Sequence, residues 1–172
     1  MTFHGIVRQW CKLYRPIHDD EIHGNRRFFL TDSTAGVIEL AKNIKPAYSP
    51  CVVMESNVEG DGPVTMPVRC YPVYFFVRAK NMSDGDSAAE AKEEAWVHAQ
   101  NFVAWLLAKH NQELESNING DFARIDLEQA YSGFQTVGPL EDGWFAVLMQ
   151  FDRLEPVNTC LNKDLYLDPC NC

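Results

Sequence analysis

Two periods of apolar and polar positions run along the chain, and each change of period marks a new element. In "FHGIVRQWCKLY" the positions Phe3, Ile6, Val7, Trp10, Leu13 and Tyr14 recur at helical spacing, so residues 3–14 read as an amphipathic helix stopped near Pro16. The segment "RPIHDDEIHGNRR" has no apolar period and reads as a connector, so that residues 1–30 form an N-terminal helix and link. Helical spacing returns at Val37, Leu40, Ala41 and Ile44, with Thr31 or Asp32 available as N-cap and Pro46 beyond the end.

The period then shortens. "SPCVVMESNV" is β-branched and strand-like, "GDGP" at 60–63 is turn-rich, and "VRCYPVYFFVRAK" at 68–80 is the strongest strand signal in the chain. That strand is apolar on both faces, which predicts a central or doubly covered position. Pro72 cannot donate to a ladder, so a bulge or strand end is expected there, with the better strand at 73–80. "SAAEAKEEAWVHAQNFVAWLLAKHNQELE" is a long helix over roughly 87–113, with Ser87 and Glu90 spaced as a capping box. Set at 100° per residue, its apolar positions, from Trp105 through Phe102, Leu106, Val103 and Trp96 to Leu107, span about 200°, where a one-sided helix needs a stripe of little over ~100°. The excess predicts a second packing partner, either the N-terminal helices or another subunit, and Trp96, Val103 and Leu107 are the candidate oligomer interface. "FARIDLEQA" alternates as a half-buried strand, "GPLEDG" is a turn, and "WFAVLMQFDRLEP" places Phe145, Val147, Met149 and Phe151 on one face.

The element order is therefore α-α-β-β-α-β-β over 1–172, a single α+β domain. It predicts a mostly antiparallel four-stranded sheet with the long helix across one face, N-terminal helices, and an irregular Cys-containing tail at 158–172.

Charge alters the picture in one respect. The net charge is −9, but residues 1–45 carry seven Lys/Arg and five Asp/Glu, net +2, while residues 46–172 carry eight and nineteen, net −11. An acidic body argues against gripping phosphates over a broad surface, and it would let nucleic acid slide past without sticking. No apolar run reaches membrane-spanning length, no secretory pattern opens the chain, and the six cysteines are expected as reduced thiols, Cys51 and Cys70 among them as small core residues.

Candidate chemistry is sparse. His18 and His23 are five apart, not at the i, i+4 spacing of a helical zinc site, although a loop could gather them with Asp19, Asp20 or Glu21. Cys160, Cys170 and Cys172 offer a C-x-C spacing rather than the usual C-x₂₋₄-C. Both groups read as non-metal, and no cofactor is expected. His98 reads as a packed or half-exposed helix histidine. Asp126, Glu128, Asp152 and Arg124 could meet on one wet sheet face, but paired carboxylates do acid/base work only where their surroundings drive their pKa values apart, so no catalytic residue is assigned.

In order of elements, "TDSTAGVIELAKNI", "PCVVMES" with "PVYFFVRAK", "SAAEAKEEAWVHAQNFVAWLLAKH", and "FARIDLE" with "GWFAVLMQFDRLEP" resemble the bacteriophage tail-terminator and tail-completion proteins, over about residues 30–157. The helix at 3–14, the His/acid link and the Cys-bearing tail depart from the simplest version of that family. The resemblance implies a non-enzymatic protein, in the virion or the bacterial host cytoplasm, that assembles with itself as a ring, commonly of six subunits. It implies contacts to other tail or connector proteins, with DNA passing through the lumen without specific binding. The alternatives are a cytoplasmic interaction module of another kind and a metal-dependent enzyme using the His/acid link or the terminal cysteines.

Overall fold

The computed structural model describes residues 1–56, 60–61, 68–118, 120–127 and 134–155. The elements are α1 (Phe3–Leu13), β1 (Phe28–Thr31), α2 (Thr34–Asn43), β2 (Cys51–Glu55), β3 (Gly60–Asp61), β4 (Val68–Arg78), α3 (Gly85–Glu115), β5 (Ile125–Asp126), β6 (Gln135–Val137) and β7 (Trp144–Leu154). The class is α+β, with the long helix across one face of the sheet, as the patterning implies.

The sheet is larger than four strands. Among the described residues its path is β1-β2-β4-β7-β5, with β3 also on β4 and β6 also on β7. All pairs are antiparallel except β1–β2. β4 is central and covered on both sides, with Val73 to Val77 wholly buried. It does not break at Pro72. The ladder to β7 runs from Val68↔Leu154 to Arg78↔Trp144, Pro72 opposite Gln150 included. Pairing to β2 ends at Met54↔Val73, so the proline stands just past the end of that ladder, where a missing N–H costs nothing.

Alternation sorts the strand residues onto two faces. The inner face (Val52, Met54, Val73, Phe75, Val77, Val147, Met149, Phe151) packs under α1 and α3. The outer face (Val53, Tyr74, Phe76, Trp144, Ala146) packs under α2. Phe102 of α3 joins the inner layer, with ring centroids 5.1 Å from Trp10, 5.7 Å from Phe75 and 5.3 Å from Phe151.

Several local expectations are corrected. α2 is capped by the Ser33 side chain, which accepts from Gly36 N, not by Thr31 or Asp32. Thr31 lies instead in β1, a strand hidden at the end of the supposed connector. α3 is capped by Asp84, and Ser87 is one turn inside, its Oγ accepting from Asn81 N, so the Ser87/Glu90 capping box does not form. The strand expected in "FARIDLEQA" shrinks to Ile125–Asp126, because the Glu113 carboxylate accepts from Phe122 N (2.9 Å) and Ala123 N (2.8 Å) and curls the chain onto the end of α3. The tail at 158–172 lies outside the described residues. No helix among the described residues is long and apolar enough to cross a membrane.

Candidate functional site

Among the described residues α2 covers about half of the outer face of the sheet, and helix length is the reason. α2 has ten residues and β4 and β7 have eleven each. At 1.5 Å per helical and about 3.3 Å per strand residue, a helix of roughly 15 Å lies on strands of roughly 36 Å. At the N-terminus of α2 a cleft of about 460 Å³ opens between Ser33–Thr34 and the strands.

Glu55 forms the floor of this cleft. It ends the apolar run "CVVME", is 7% exposed, and its Oε1 accepts from Tyr74 Oη at 2.6 Å and Thr34 Oγ1 at 3.1 Å. Burial and the bond to Glu55 raise the pKa of the Tyr74 phenol, so it stays a donor. Asp32 stands at the rim, and Pro72, Leu148 and Gln150 form the wall. Among the described residues no Lys or Arg lines the cleft. Beyond it, Asp126 of β5 is directly opposite Asp152 of β7, which is opposite Cys70 of β4. The wet face expected for Asp126 and Asp152 thus exists. Glu128 lies outside the described residues, and Arg124 precedes β5, where its charge helps hold Asp121 down. Cys51 is core, whereas Cys70 is half-buried at the cleft.

The His/acid segment is organised around a residue that its spacing does not single out. Asp19 is 3% exposed, and its Oδ1 accepts from Arg27 N (2.6 Å) and Phe28 N (2.9 Å), which sets the start of β1. Asp20 and Asn25 pair across a turn, and His23 Nδ1 meets Asp20 Oδ2 at 2.6 Å, a bond that lowers the Asp20 pKa. His18 is exposed. Among the described residues no group of three or more His, Cys, Asp or Glu side chains is placed to hold a metal ion. Cys160, Cys170 and Cys172 lie outside those residues.

His98 is buried rather than half-exposed. Its Nδ1 is 3.1 Å from Tyr14 Oη and its Nε2 is 3.5 Å from Glu94 Oε1; burial lowers its pKa, with Glu94 pulling the other way. Arg153 is also buried, donating to Asp121 (2.8 Å), Glu155 (3.0 Å) and the Met1 carbonyl (2.9 Å), while the N-terminal ammonium pairs with Asp121. Tyr71 Oη donates to Glu155 at 2.8 Å, and burial with that bond pushes its pKa up to about 12.

Trp96, Val103 and Leu107 do not form one open surface. Val103 is 0% exposed within the core, which corrects its place in an interface. Trp96 is half-buried with Phe134 against it at 4.4 Å, and Leu107 alone is open, at 41% exposed. The wide arc of α3 finds its second partner in the same chain: Trp10 on Phe102, Tyr14 on His98, and Phe122 on Trp105.

The buried ionic residues Asp19, Glu55 and Arg153 escape a periodicity reading. The available signal is a charge breaking an apolar run, as in "CVVME" and "MQFDRL". No protein-family model and no curated protein matches the chain.

Proposed function

We propose that this chain is a non-enzymatic structural subunit of a phage or prophage tail, of the tail-terminator or tail-completion type, which assembles with copies of itself as a ring around passing DNA. The observation that carries the reading is the order of packed elements: α2, the β2–β4 antiparallel pair, α3 across the sheet, then the β7 return strand along β4. The acidic body suits a lumen that DNA must traverse without binding. The buried ionisable groups Asp19, Glu55 and Arg153 are engaged in internal hydrogen bonds, which suits a chain that works through its surfaces.

A second reading, a monomeric interaction module, is favoured by the coverage of the α3 arc by α1 and Phe122. Light scattering over a range of protein concentrations, with negative-stain electron microscopy of the concentrated sample, separates the two. Closed rings with a central hole are expected. A strict monomer at every concentration would remove the ring and leave the interaction module.

A further inference from the structure

We propose that the solvent face of α3 pairs antiparallel with the same face of a second copy of this chain, along a strip from Val97 to Leu114. The contact is two-fold, and it lies beyond the ring reading without depending on it.

α3 carries two apolar patterns. One is the wide arc that packs inward. The other is a heptad on the far side of the helix. Val97, Gln100, Ala104, Leu107, Asn111 and Leu114 follow alternating spacings of three and four residues, those of the positions by which one helix meets another. Ala99, Phe102 and Leu106, on the opposite side, are wholly buried in the core. All six heptad residues are exposed, and Val97, Leu107 and Leu114 are each 40% exposed or more. The solvent side of a helix ordinarily carries charge. From Ala95 to Ala108 α3 has no Lys, Arg, Asp or Glu, in a chain of which 23% is charged. Such a strip is built for a partner rather than for water.

The strip reads alike in both directions, which selects a second copy as that partner. With a two-fold axis level with Trp105 and Leu106, Val97 meets the partner's Leu114, Gln100 meets the partner's Asn111, and Ala104 meets the partner's Leu107. Apolar thus faces apolar, and amide faces amide, each able to donate and accept. Small faces large, as a close-packed seam requires. Parallel pairing would instead set Ala104 against its own copy and Leu107 against its own, leaving one layer thin and the next crowded. Ile118 and Phe134, both more than half exposed, stand at opposite ends of the strip, Phe134 against Trp96. Antiparallel pairing brings the partner's Ile118 to the Phe134 end.

Charge enters only at the ends. Glu93 and Glu94 precede the strip and Glu115 follows it, so antiparallel pairing sets the acids of one copy near those of the other. Lys92 is engaged over the Phe145 ring at 5.2 Å and Lys109 with Gln112 at 3.3 Å. A strip of about 26 Å, at 1.5 Å per residue, falls at the small end of specific contacts. The association is therefore weak, and salt strengthens it by screening the acidic ends.

The test uses the full chain and two exposed positions. One variant carries Leu107→Glu and the other Ala104→Lys. Circular dichroism and thermal melting establish that both keep the fold, and sedimentation velocity over a range of concentrations reads association. The parent should dimerise, more tightly at about 0.3 M than at about 0.05 M salt. Each variant alone should associate roughly tenfold or more weakly than the parent, because its two new like charges flank the axis. An equimolar mixture should recover association, since the new lysine then faces the new glutamate only in the antiparallel register. If the parent forms rings, the contact appears as paired rings that part into single rings in each variant. Variants that associate as the parent does overturn the contact and leave the ring standing. Folded variants that stay apart when mixed overturn the antiparallel register. A parent chain that is monomeric at every concentration overturns both the contact and the ring.

Discussion

His98 shows how one residue's surroundings set a property of the whole chain. Its imidazole lies between the Tyr14 hydroxyl and the Glu94 carboxylate, and burial makes it harder to protonate than its ordinary value of 6.5. The unfolded chain therefore binds a proton at His98 before the folded chain does. Folding is favoured fully above 6.5, and that contribution drains away as pH falls from 6.5 towards the lower folded value. His4, also lowered by burial, acts in the same sense. Asp20 and Asp121, both held below 3.8, add their loss only in stronger acid. His98→Leu should flatten the fall in stability between about pH 7.5 and about pH 5, read as urea midpoints at the two ends. A variant whose midpoints differ between these ends as much as the parent's do would show that His98 titrates normally. The sequence marks this histidine as a helix residue near Lys92 and Glu94; that Tyr14 would close over it depends on where α1 docks.

At the scale of elements, α3 separates residues that look equivalent in the sequence. Phe102 and Leu106 are 0% exposed, whereas Leu107, the next residue on the helix, is 41% exposed. Phe102→Ala and Leu106→Ala should each cost about 2–5 kcal/mol, since the cavity adds to the lost transfer energy. Leu107→Ala should stay within about 0.5 kcal/mol, the range of ordinary surface changes. Denaturant titration checks all three; a cost at Leu107 equal to that at Leu106 would mean that the face has been drawn wrongly. α1, α3, β4 and β7 are legible because each buries a long apolar stripe with its own period. β1 and β6, with four and three residues, are too short to show a period. β5 is cut short by Glu113, an acid whose carboxylate takes two backbone N–H groups from nine and ten residues away along the chain. Of the candidate site, the Asp126–Asp152 pairing follows from strand alternation. The cleft over Glu55 does not, because it arises from α2 being shorter than the strands it covers.

For the whole molecule, the question is what the wide apolar arc of α3 is for. A 200° arc is roughly twice what a one-sided helix buries, and either another subunit or another part of the chain must take the surplus. α1 takes much of it: Phe3, Ile6, Val7, Trp10 and Cys11 are each 2% exposed or less, over the sheet and α3. At about 1.5–3 kcal/mol for each fully buried large side chain, the four largest contribute roughly 6–12 kcal/mol as an upper bound. That is comparable with the whole stability of an ordinary domain, about 5–15 kcal/mol. A chain lacking residues 1–14 should therefore lose its cooperative melt and its near-ultraviolet dichroism rather than fold with a bare helix. If that truncated chain melts cooperatively, α1 is an appendage, and the arc of α3 is again open to a neighbouring subunit. If it does not, α1 is part of the core on its inward side. Its outward side, with Lys12 and the exposed Leu13, is then what α1 has left to offer a neighbour.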